Sequence, residues 1–174
     1  MQIIKRNSGF LTLIVINALS LCVSINAQTK TDTEVLTDPA LTKIVPSSFY
    51  FAGQSAGTQT RNAAAARLGK DRYIIAALVD TSGYSTEISG KYEGFFITDS
   101  PVKIGGKTLG TGAYGFGFAT GGILNIFDLS SKQILSTAAK NDSGMKRPRP
   151  LQMILADNGV RLYKGKDFVL ITPK

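Results

Sequence analysis

Four carboxylates, Asp80, Glu87, Glu93 and Asp99, lie close along the chain around the loop Thr81-Ser82-Gly83-Tyr84-Ser85. Two acidic groups about 5 to 10 Å apart across a cleft are what glycoside hydrolysis requires. The chain has no Trp to form the usual sugar platform, and acids at strand ends and loops are ordinarily solvated. A Ser–Lys dyad is chemically open too, since a buried lysine can serve as base, but no pair of residues stands out for it. The sequence also contains no His. That excludes Ser-His-Asp and Cys-His catalysis, imidazole metal ligation and a histidine pH switch. The sequence reading therefore names no catalytic residue and no cofactor.

Glycine motifs give equally little. Gly110-Thr111-Gly112-Ala113-Tyr114-Gly115 matches G-x-G-x-x-G, but dinucleotide binding needs a helix N-terminus after the glycines, aimed at a pyrophosphate. An alternating aromatic segment follows instead, so a hairpin turn explains the glycines better. Gly106-Lys107-Thr108 imitates the end of a phosphate loop, yet Pro101 stands where that motif needs its upstream glycine.

Three segments carry binding chemistry. In Ala113–Ala119, Tyr114, Phe116 and Phe118 alternate with Gly115 and Gly117, which puts an aromatic row on one strand face and bare backbone on the other. The aromatics either fill a core, with the glycines allowing another element close, or floor an apolar ligand cavity. The polar stretch Gln54–Asn62 is rich in amides and hydroxyls. It reads as a solvated connection or as a binding loop in which Gln59 and Arg61 meet a ligand, Arg61 suiting a carboxylate or phosphate. Lys146, Arg147 and Arg149, interleaved with Pro148 and Pro150, form an extended basic patch. It is either a solubilising surface or a docking point for an anionic envelope component. Aromatic interleaving is absent there, so nucleic acid is not an expected partner.

These residues need a scaffold. Lys5 and Arg6 precede an apolar run from Phe10 to Ile25 that ends in Ile25-Asn26-Ala27, the order of a secretory signal peptide. Cleavage after Ala27 would remove 27 of 174 residues and leave 147. Lys5 and Arg6 would go with them, lowering the net charge from +8 to +6, as would the single cysteine, Cys22. No transmembrane segment would remain. The mature chain would have neither disulfide nor thiolate ligand, so packing and strand pairing must stabilise it.

The predicted organisation is residues 1–27 as signal, 28–46 as a flexible leader with one short helix, and 47–174 as a single all-β domain. Asp38-Pro39 is expected to cap and start the helix, and Pro46 to stop it. Beyond it, short strands are punctuated by Gly105-Gly106, Gly121-Gly122, Asp157-Asn158-Gly159 and Lys164-Gly165. That rhythm predicts an antiparallel β-sandwich or small β-barrel. Ala63–Leu68 reads as a strand, although its alanines also suit a helix.

The segment from Val102 to Tyr114, with Gly106-Lys107-Thr108-Leu109 and Gly112-Ala113-Tyr114, resembles a hairpin of uncharacterised secreted bacterial β-domain proteins. Those proteins carry Pro-Ala where this chain has Gly110-Thr111. The resemblance covers about 13 residues and implies an exported β-fold, with no activity or site attached. The sequence thus leads to an exported, non-catalytic β-domain that binds a small apolar or anionic ligand or an envelope component, in the periplasm or outside the cell. An envelope structural or protein-interaction module is the alternative, and a carboxylate or Ser/Lys hydrolase the second.

Overall fold

The computed structural model describes residues 32–174, so the signal peptide expected over 1–27 lies outside the described residues. Within them the chain forms two antiparallel sheets. The larger contains β1 (Thr33–Val35), β2 (Ser48–Phe51), β3 (Gln54–Leu68), β4 (Tyr73–Val79), β5 (Gly94–Thr98), β8 (Gly112–Ala119), β9 (Ile123–Phe127) and β10 (Gln133–Ala138). The smaller contains β6 (Val102–Ile104), β7 (Lys107–Leu109), β11 (Lys140–Asn141), β12 (Arg149–Ala156), β13 (Gly159–Gly165) and β14 (Asp167–Pro173). No ladder joins the two sheets among the described residues, so the fold is a sandwich rather than a closed barrel.

Alternation builds the core. Ala64, Ala66, Ile74, Ala76, Phe96, Phe116 and Leu124 from the large sheet meet Val102, Ile104, Leu151, Leu162, Val169 and Ile171 from the small one. The opposite face of the large sheet is also buried. Ala65, Ala77, Phe95 and Phe127 there pack beneath Phe49 and Phe51 of β2, Tyr84 and Tyr92, with α1 (Asp38–Ile44) contributing Leu41 and Ile44. A strand covered on both faces suits continuous small apolar residues, which is why the alanine run is a strand and not a helix.

Several expectations change. Thr33–Val35, within the supposed flexible leader, pairs with Ala66–Leu68 of β3. Arg67 of β3 also binds Glu34 at 2.6 Å, so this part of the leader is tied to the sheet edge. The N-cap of α1 is Thr37 rather than Asp38, and Leu41 N donates to Thr37 O. Pro39 then falls at the second helical position, where its missing N–H is equally harmless. A four-residue turn, α2 (Thr86–Ser89), interrupts the β domain. The polar stretch Gln54–Asn62 is strand, not loop, because its first four residues pair with β2.

Turn chemistry reads as expected at Gly105-Gly106, whose φ values of 55° and 84° close the two-residue β6–β7 hairpin, the positive φ pair that a type I′ turn needs. The β9–β10 turn uses a side chain instead. The Asp128 carboxylate accepts from Ser130 Oγ at 2.6 Å, Ser130 N at 2.9 Å and Lys132 N at 3.0 Å. These bonds, that from the Ser130 hydroxyl above all, hold the Asp128 pKa below the ordinary carboxylate value. Because the folded pKa is the lower one, the stabilisation is present above the unfolded value near ~3.9 and is lost as pH falls through the folded one. A carboxyl-detected NMR titration should therefore place the Asp128 midpoint below ~3.9. A midpoint at or above that value would contradict these hydrogen bonds.

Candidate functional site

In the large sheet, β4 and β8 both run antiparallel to β5 between them, so their C-terminal ends share one end of the sandwich. The chain leaving β13 and entering β14, and the start of β12, reach the same end. Together they frame a groove of about 680 Å³. Leu78 and Phe118 form its apolar floor, the turn Thr120-Gly121-Gly122 one lip, and Pro148, Arg149, Pro150, Lys164 and Asp167 the other.

The charges here are arranged unequally. Lys164 pairs with Glu93, a half-buried contact linking the two sheets, and its ammonium lies 5.9 Å from the Phe118 ring centre. The other Glu93 oxygen accepts from Phe118 N at 2.9 Å, which fixes the strand end that carries the ring. Asp167 accepts from Asn141 Nδ2 at 2.7 Å. Arg149 is exposed and makes no ion pair with a described residue. A guanidinium in that state offers a planar fork of donors to a carboxylate or phosphate.

The aromatic row divides. Phe116 is 0% exposed in the core between the sheets and out of reach of any ligand in the groove. Tyr114 is half-buried, and its hydroxyl donates to Gly110 O at 3.0 Å. Only Phe118 reaches the groove, set edge-on against Phe116. On the opposite strand face, a Cβ on Gly115 would collide with the Phe51 ring and one on Gly117 with the Lys91 carbonyl. Those glycines let the outer layer approach.

The polar stretch divides too. Gln59 Nε2 donates to Val79 O at 3.0 Å, and its Oε1 accepts from Asn62 Nδ2 at 2.8 Å, so both ends of the amide hold the local backbone. Arg61 instead lines a smaller cleft of about 300 Å³, whose opposite wall includes Arg149, Leu151 and Gln152. Two residues far apart in sequence thus share one cleft, and Arg149 borders the groove as well. Lys146 and Arg147 are exposed beside it and line neither space.

The four carboxylates are dispersed in structural tasks. Asp80 accepts from Ser82 N at 3.0 Å, which lowers its pKa. Glu87 pairs with Lys91 within one turn. Glu93 holds Lys164 and Phe118 N, and Asp99 accepts from Tyr73 N through both oxygens at 2.8 Å.

No family model, curated protein or solved structure matches this chain. Sequence reasoning missed Leu78 and Lys164. Leu78 reads as one more apolar strand residue and Lys164 as part of a turn, and only the register of β4 and β13 brings them to the groove.

Proposed function

We propose that the protein is an exported, non-catalytic binding domain whose groove takes a small amphiphilic anion. The observation that carries this reading is the Arg149 guanidinium, without an ion-pair partner among the described residues, on the lip of a groove floored by Leu78 and Phe118. A pocket of several hundred Å³ with an apolar floor and a few polar groups is the usual form of a small-molecule site. The apolar part of the ligand would lie on Phe118 and Leu78 while its carboxylate or phosphate meets Arg149. Export rests on the charged and apolar order of residues 5–27.

Native mass spectrometry of protein purified from its own envelope tests both parts. The expected species is a chain beginning at Gln28 that carries a small anion. Titration with laurate should show saturable binding, about tenfold weaker in Arg149→Gln, as loss of a charge-assisted hydrogen bond implies. A bare chain that laurate does not saturate would overturn the binding reading, and a mature chain retaining Lys5 and Arg6 would overturn export.

A second reading, a protein-interaction module, draws on Tyr50 and Leu129. They are 58% and 43% exposed; Tyr50 lies in β2 and Leu129 in the β9–β10 turn, which the Ala52 N to Leu129 O hydrogen bond joins to the end of β2. Tyr50→Ser should weaken any self-association seen by sedimentation under that reading and leave laurate binding unchanged.

A further inference from the structure

We infer that the cleft between Arg61 and Arg149, which borders the groove at Arg149, is a second binding site, for phosphate or a phosphomonoester group. It stands whether or not the neighbouring groove takes an apolar ligand.

Arg61 stands within an irregularity of its strand and Arg149 at the edge of one. Between the pairs Thr58↔Val79 and Ala63↔Ala77, five steps along β3 face two along β4, so the backbone around Arg61 bulges out of the ladder. Between Arg149↔Gly165 and Gln152↔Tyr163, three steps of β12 face two of β13. Bulges of this kind re-aim side chains and free backbone groups from pairing. The two face each other because β3 packs directly on β12 across the sandwich. The first bulge is also held in shape before any ligand arrives, through the Gln59 amide bound to Val79 O and Asn62.

Neither Arg61 nor Arg149 pairs with a described acid, whereas Arg67, further along β3, is held by Glu34. The Gln152 amide, on the same wall, meets only Met145 Sδ at 3.7 Å, a weak acceptor. Thr60 lines the cleft beside Arg61. Two guanidiniums that line one cleft would repel each other at close range, and an oxyanion bound between them would turn that repulsion into attraction. Two guanidinium forks bring about four N–H donors to one anion, and Thr60 and Gln152, which line the same cleft, add more, so the set exceeds the roughly four lone-pair sites of a single carboxylate and suits a tetrahedral phosphate better. One acid, Asp38, lines the cleft near Arg61. It opposes an anion and so provides a test of opposite sign.

The experiment is a titration of the folded protein with inorganic phosphate, followed by backbone amide NMR, in the native chain, Arg61→Gln and Asp38→Asn. Shifts should concentrate at Thr60–Asn62 and Leu151–Gln152. Affinity should fall about tenfold in Arg61→Gln and rise severalfold in Asp38→Asn. Shifts spread over Lys146 and Arg147 with affinity unaltered by either substitution would show diffuse surface attraction and overturn the proposal. Repeating the titration with vesicles containing phosphatidic acid separates two sources of the same chemistry. Binding that depends on Arg61 on vesicles points to a lipid headgroup, and such binding to free phosphate alone points to a soluble anion. Arg61 does not line the groove, so laurate binding should survive Arg61→Gln, which keeps failure of this site distinct from failure of the groove.

Discussion

Phe116→Ala is expected to cost about 4 kcal/mol of folding stability, the range for deleting a fully buried ring. The same change two residues on, Phe118→Ala, should cost about 1–2 kcal/mol, because that ring is only partly buried at the margin of the core, where it meets Phe116 and the Lys164 ammonium. Urea denaturation of the two variants measures the difference. Laurate binding should show the reverse order: Phe118→Ala loses the groove floor, while folded Phe116→Ala retains it. Equal destabilisation by the two would mean that Phe118 is core and that the groove is not open to a ligand. The contrast rests on period two. Both rings share one strand face, and only the distance to the sheet end decides which is solvent-accessible.

The second large effect concerns the bare face of the same strand. Gly117→Ala should destabilise the fold by about 3 kcal/mol, at the upper end for overpacking. The new methyl would overlap the Lys91 carbonyl, which is backbone and cannot swing aside as a side chain could. Gly57→Ala is the matched control. Nothing lies within 4 Å of where its Cβ would stand, so its effect should stay within about 0.5 kcal/mol. Thermal or urea unfolding of both variants decides the matter, and comparable stabilities would mean the segment after α2 does not rest on β8. The consequence reaches the groove, since Gly117 adjoins Phe118, whose amide is held by Glu93.

Much of the architecture was legible because it depends on local rules. Gly105-Gly106 marks a tight hairpin through the φ values that glycine alone adopts freely. Tyr114, Phe116 and Phe118 share a face because strands alternate. The alanines of Ala63–Leu68 were ambiguous because propensity is decided on one strand, whereas a second covering layer makes small residues fit there. The pairing of Thr33–Val35 was hidden for a related reason. A three-residue strand has too few positions to show a pattern, and it exists because β3 offers an unpaired edge.

By itself, the sequence determined the chemistry available: no imidazole anywhere, a single cysteine, arginine and lysine in excess over the acids, and a chain whose alternation and turns commit it to antiparallel sheets. Tertiary structure alone decided which of those groups meet. Arg61 and Arg149 share a cleft, Gln59 is consumed in holding a bulge, and Phe116 is sealed while Phe118 is open. Register between strands and the stacking of two sheets set these outcomes. Both are sums of many weak contacts between residues distant in the chain, which no local pattern encodes.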